Sequence, residues 1–132
     1  MIVDTSAIVA ILLDEPGAEA LSSALLSAIE PTMSAATLVE LYAVVDRRST
    51  PQQRRRLDRL LDAYGIAVVP FTPAQAVIAR DAYRDFGRGS GHAARLNLGD
   101  CFAYALATDA AKPLLFVGDD FRHTDIEPAL AP

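Results

Sequence analysis

Asp4 closes a short apolar run, Met1-Ile2-Val3, and two hydroxyl residues, Thr5 and Ser6, follow it. Near the other end, Leu114-Leu115-Phe116-Val117 runs into Gly118-Asp119-Asp120. Glu40 interrupts an otherwise apolar helical pattern, and Asp100 stands at the start of another. A carboxylate directly after a buried strand is costly without a partner. If these acids converge, each pair about 4 Å apart repels by roughly 4 kcal/mol at an effective dielectric of about 20. Lys112 is the only lysine in the chain, so ammonium groups cannot neutralise such a cluster. A hard divalent cation can, and carboxylate oxygens with water are the ligands that Mg²⁺ and Mn²⁺ accept. Such a site lowers the pKa of water and stabilises charge on a phosphodiester. Thr5, Ser6 and Thr124 can add hydroxyl hydrogen bonds to ligands or substrate. Each acid also has a structural alternative: Asp100 as a helix N-terminal residue, Glu40 as a solvated one, Asp119 or Asp120 as a turn former.

The elements that must position these residues are legible in outline. Ala7 to Leu13 reads as a helix capped by Thr5 or Ser6, ended by Asp14-Glu15-Pro16-Gly17. A second helix runs from about Ala18 to Ala28, with Leu21, Leu25 and Leu26 on one face. Pro31 to Ser34 is a short strand. Ala35 to Val45 repeats Leu38, Leu41, Tyr42 and Val45 at helical spacing and carries Glu40. Thr50-Pro51 starts a helix with the stripe Leu57, Leu60, Leu61, Tyr64. Ile66 to Pro70 is a strand, and Thr72-Pro73 opens a helix with Ala76, Ile78, Ala79 and Tyr83. A glycine-rich loop, Phe86 to His92, precedes a helix from Leu98 to Ala110. Leu114 to Val117 is the last strand. Strands alternating with helices imply an α/β fold: a three-layer α/β/α sandwich around a central parallel sheet of four to five strands. In open sheets of this kind the carboxyl ends of the strands line the ligand crevice.

The chain has 132 residues, enough for one domain over 1–132, and is 52% hydrophobic and 22% charged. Those values fit a globular core and exclude disorder. The formal net charge of −5 argues against nucleic-acid binding through overall charge, though not against a local basic patch. Arg47, Arg48, Arg54, Arg55, Arg56 and Arg59 crowd into one stretch. They read equally as a solvated face, partnered by Asp46, Asp58 and Asp62, or as contacts for RNA or a protein partner. The single cysteine, Cys101, excludes an intrachain disulfide and suits a reducing cytoplasm. No signal peptide and no membrane span are expected.

Four stretches in register resemble PIN-domain proteins, above all the VapC toxins of bacterial toxin–antitoxin pairs. They are Met1 to Ala7, Ser34 to Glu40, Leu96-Asn97-Leu98-Gly99-Asp100-Cys101, and Leu114 to Asp125. The resemblance implies a single PIN domain acting as a Mg²⁺- or Mn²⁺-dependent endoribonuclease. It further implies a homodimer, an RNA substrate and a VapB-type antitoxin that inhibits the enzyme. The family's acidic positions fall on Asp4, Glu40, Asp100 and one of Asp119 or Asp120; Asp120, directly before Phe121, is preferred and Asp119 is the reserve. Asp4 and Asp100 would then be the principal metal ligands, with Glu40 and Asp120 acting directly or through waters. Water rather than a side chain would be the nucleophile, which leaves Cys101 to core packing.

Arg88, His92 and Arg95 lie in or beside the glycine-rich loop just before Asp100 and are candidates for RNA or antitoxin contacts. Two alternatives compete with the nuclease. A haloacid-dehalogenase-type phosphatase also places Asp after its first strand. It expects a second acid two residues later, where Ser6 stands, and a lysine well upstream of the late acidic motif. A non-catalytic PIN-like module would keep the repulsion of the acids without using it.

Overall fold

The architecture follows from apolar runs too short to do more than cross a buried sheet once. In the computed structural model, which describes residues 1–131, four short strands form one parallel sheet. They are β1 (Ile2–Val3), β2 (Thr32–Ser34), β3 (Ala67–Val69) and β4 (Leu114–Leu115), in the order β3-β2-β1-β4. Six helices connect them: α1 (Thr5–Leu12), α2 (Ala18–Ser27), α3 (Ala35–Arg48), α4 (Pro51–Ala63), α5 (Pro73–Phe86) and α6 (Leu98–Ala110). A 3₁₀ turn spans Asp120–His123.

The period of two along the strands divides the core. Val3 and Leu115 face a cluster built from α1 to α4, with Ile8, Leu25, Leu41 and Leu57. Ile2 and Leu114 face the other way, onto α5 and α6, with Ala79, Ala103 and Tyr104. The expected three layers are therefore present, with the sheet at the lower of the expected strand counts. β1 is central: Ile2 pairs with Thr32 on one side and Leu114 on the other. The outer edge of β4 is covered, since the Leu114 N–H donates to Glu127 O and the Ala129 N–H to Leu114 O.

Several expectations shift. Helix α1 begins at Thr5, not Ala7, and its cap is Asp4 rather than Thr5 or Ser6. A carboxylate is as good an N-cap acceptor as a hydroxyl, and the extended backbone ends on it. β4 stops at Leu115, so Phe116 and Val117 belong to the following loop, where Phe116 packs on the core and Val117 is exposed. On α5 the buried positions are Gln75, Ala79 and Ala82, while Tyr83 is 42% exposed. Gln75 is buried because its amide is used: it closes the capping box with Thr72 and donates to Asp109. Leu26, placed on the inner face of α2 by sequence, is exposed.

Candidate active site

Asp4 leaves β1 with its backbone N–H donating to Leu115 O, so its side chain emerges at the carboxyl edge of the neighbouring strands β1 and β4. It is 3% exposed. One carboxylate oxygen, Oδ2, accepts from the Ser6 N–H at 2.9 Å and the Ser6 hydroxyl at 2.6 Å. The other, Oδ1, is buried with no hydrogen-bond partner. Burial raises the Asp4 pKa above its ordinary value, against the opposing pull of the Ser6 and Thr5 hydrogen bonds. Ser6 Oγ also accepts from the Val117 N–H at 2.9 Å, which fixes the loop after β4 against the start of α1.

Glu40 comes from α3, which packs on both α1 and α6. Its Oε2 accepts from the Thr5 hydroxyl at 2.8 Å. Burial raises its pKa, Thr5 opposes this, and the charge of Asp4 adds to the rise. The carboxylate lies against the first turn of α6 at Gly99, where a Cβ would fall on it.

Asp100 is the third residue of α6. Asn97 Oδ1 accepts from the Asp100 N–H at 2.9 Å, and Asp100 Oδ2 accepts from the Asn97 N–H at 2.7 Å. This reciprocal pair caps the helix and aims the carboxylate back across its N-terminus. Burial pushes the Asp100 pKa up to about 7, and the charges of Asp4, Glu40 and Asp120 add to the rise. Asp4, Thr5, Ser6, Glu40, Asn97 and Asp100 all line one cavity of about 220 Å³.

Asp120 and Asp119 differ. Asp120 reaches Asp100 through its field and lines a neighbouring cavity with Arg88 and Arg95. The Asp119 side chain is 88% exposed, with its carboxylate 3.7 Å from Arg122. Thr124 is turned away from the acids: its hydroxyl donates to Phe121 O and ends the 3₁₀ turn. His92 serves its own loop, with Nδ1 accepting from the Ala94 N–H and the ring edge against Phe86. The segments that carry Arg88 and Arg95 are joined at Leu96, which accepts from the Arg88 N–H and donates to Phe86 O, each at 2.9 Å. Cys101 is buried in the core, its pKa raised to about 12 by burial and the Asp100 charge; it carries no reactive thiolate.

Two contributors, Asn97 and Gly99, were not anticipated from sequence, nor was the place of a third, Arg48. Asn97 could have been: Asn-x-x-Asp is a reciprocal capping pattern. Gly99 could not, and Arg48, read from sequence only as one of a cluster of possible RNA or partner contacts, could not be placed beside the acids, because both depend on how α3 lies across α6 and α1. Arg48 reaches the acid-lined cavity from the end of α3.

Among the described residues, no three His, Cys, Asp or Glu side chains converge tightly enough to hold an ion jointly as they stand. Glu40 is turned to Thr5, and Asp100 to Asn97. The donor set nonetheless suits a hard cation. It is all oxygen and all anionic, and Asp4 Oδ1 is a buried acceptor whose desolvation is uncompensated.

Comparison with known proteins identifies the family of the fold. The family model for the PIN domain matches residues 1–127. A relative from Mycobacterium tuberculosis named Ribonuclease VapC42 is 58% identical over 129 residues, covering 98% of each chain. Among solved structures, Mycobacterium tuberculosis VapC20, described as a sarcin–ricin-loop-cleaving toxin, superposes with a TM-score of 0.73. The two share 15% identity over 95% of each chain. A toxin–antitoxin complex from Klebsiella pneumoniae gives a TM-score of 0.64 at 17% identity, over 91% of this chain and 88% of that one. At these identities the two structures speak to the fold alone.

Proposed function

This chain belongs to the PIN-domain family, and from that premise we propose that it is a metal-dependent endoribonuclease of the VapC type, the toxin of a toxin–antitoxin pair. The observation that carries the reading is Asp4: a buried carboxylate with one oxygen unpartnered, sharing its surroundings with Glu40 and Asp100. Residues 1–132 are read as one such domain. The phosphatase and non-catalytic alternatives find no support in these matches.

Asp4 and Asp100 are the proposed principal ligands, with Glu40 and Asp120 assisting directly or through water. Asp120 is preferred to Asp119 because its charge acts on Asp100, whereas Asp119 faces solvent beside Arg122. A bound Mg²⁺ or Mn²⁺ would supply an activated water and neutralise charge building on the phosphodiester. The chain's own residues prepare for it. Ser6 fixes the Asp4 carboxylate through Oδ2 and leaves Oδ1 free; Thr5 holds Glu40; Asn97 aims Asp100. Arg88 and Arg95, exposed and side by side near Asp120, suit RNA phosphates. His92 is assigned to supporting that loop.

The proposed partners are RNA, a VapB-type antitoxin and a second copy of the chain, and the proposed place of work is the cytoplasm. Among the described residues, no helix is long and apolar enough to cross a membrane. Purified protein should cleave cellular RNA with Mg²⁺ or Mn²⁺, stop with EDTA and resume on metal addition. Loss of cleavage in Asp100→Asn is expected. Failure to cleave with either metal, or an Asp100→Asn protein as active as wild type, defeats the reading.

A further inference from the structure

The cavity that holds the acids does not end with them. It continues between α1 and α3, over Val9 and Val44, to Arg48. Glu40, Val44 and Arg48 repeat every four residues on α3, as Thr5 and Val9 do on α1, so each set shares one helical face. Eight residues of α3 carry the lining about 12 Å along the helix axis. The groove is thus acidic at one end, apolar in the middle and cationic at the other.

Arg48 is available at its end. One Nη2–H donates to Glu15 Oε1 at 2.8 Å, and the side chain is 53% exposed, leaving other donors of the fork open. An exposed pair of this kind contributes little to stability. The guanidinium fork is well matched to phosphate oxygens. Groove and acid cleft are one cavity, so a strand held at the acids has the groove directly beside it.

We propose that the α1–α3 groove is a neighbouring-nucleotide subsite for RNA, in which the half-buried Val44 bears on a nucleoside and Arg48 binds a further phosphate of the same strand. The proposal rests on the nuclease reading above. A peptide carrying a carboxylate is the competing occupant. RNA is favoured because the acid end, once neutralised by a cation, takes phosphate and the far end takes phosphate too.

The test uses the full chain and a 5′-labelled pool of single-stranded RNA. Cleavage by wild type with Mg²⁺ or Mn²⁺ is measured first, and its absence defeats the nuclease reading and this one together. Binding is then followed by fluorescence anisotropy in an Asp100→Asn background over a range of salt. Arg48→Ala should weaken binding roughly tenfold and lower the slope of log K against log salt by about 0.7. Arg48→Lys should restore the slope but not the full affinity, and it carries the test if Arg48→Ala folds poorly. Arg47→Ala removes the same charge from a residue whose Nε–H is tied to Ala43 O, and should change binding by less than about twofold. Glu15→Gln should bind as tightly as the parent or tighter. Unchanged RNA affinity in Arg48→Ala, with wild type cleaving, overturns this proposal alone and leaves the groove to a peptide. An equal loss in Arg47→Ala or in Glu15→Gln overturns it as a general charge effect or as the loss of an ion pair.

Discussion

Gly99 makes room for Glu40: a side chain at position 99 would occupy the space of the Glu40 carboxylate. Helix α6 therefore meets α3 through a bare Cα, and the acid of one helix rests on the first turn of the other. Its backbone there is ordinary helix, so Gly99→Ala is tolerated locally and gains up to about 1 kcal/mol of helix propensity. The displaced carboxylate should cost about 10- to 100-fold in cleavage rate. Cleavage assays beside thermal melts check this. Activity within about twofold of wild type would remove Glu40's placement from the mechanism.

Asp4→Asn should separate stability from activity. The amide keeps an acceptor for Ser6 and removes a buried charge whose second oxygen has no partner. In EDTA its melting temperature should rise by about 3–8 °C, equivalent to roughly 1–2 kcal/mol for a domain of this size. Cleavage should fall at least about a hundredfold. A lower melting temperature in EDTA would contradict a strained carboxylate at this position.

The metal-free protein should be most stable in mild acid. Asp100 rises from 3.8 to about 7 in the fold, and the Asp4 and Glu40 values rise as well. The folded state therefore holds protons that the unfolded chain has released. The associated stability is fully present below the ordinary carboxylate range and is lost as pH climbs to about 7. Melts in EDTA should drop by several degrees between pH 5 and pH 8. Added Mg²⁺ or Mn²⁺ should reduce the drop, because a cation takes over from the protons. A flat profile in EDTA would show that the carboxylates are not desolvated.

Tyr104→Phe should act on stability more than on chemistry. The Tyr104 hydroxyl donates to Asp125 Oδ1 at 2.6 Å and anchors the segment after the 3₁₀ turn to α6. Its pKa is pushed up to about 12 by burial and by Asp125, so it stays protonated. Losing a bond to a charged acceptor should cost about 1–3 kcal/mol. Chemical denaturation measures this, and cleavage should stay within about tenfold of wild type. A larger loss of cleavage than of stability would give Tyr104 a direct part in the site.

Where the sequence was legible, the reason was periodicity or capping. The stripe Leu57, Leu60, Leu61 and the pair Thr50-Pro51 specify α4 without tertiary help. The apolar runs before Asp4 and after Lys112 specify fully apolar strands, the inner β1 and the edge β4, because both faces of the sheet are covered. The acids of the cavity were visible as types out of place, and their gathering follows from β1 lying in the middle of the sheet. What stayed hidden depends on distances between elements. Nothing local marks Gly99 as the floor under Glu40, or Arg48 as a wall of the acid-lined cavity. The fate of Thr124 was equally hidden, because a hydroxyl near an acidic motif serves a turn as readily as a ligand. Asp4 as cap of α1 was missed because hydroxyl residues follow it and compete for the same role.

The bond from the Val117 N–H to the Ser6 hydroxyl spans 111 positions of the chain and joins the first acid to the loop that carries the last ones. During synthesis Ser6 leaves the ribosome 111 residues ahead of Val117. The loop of Asp119 and Asp120 therefore docks on the start of α1 only after that whole stretch has been made, so the edge that gathers the carboxylates is among the late parts of the fold to close.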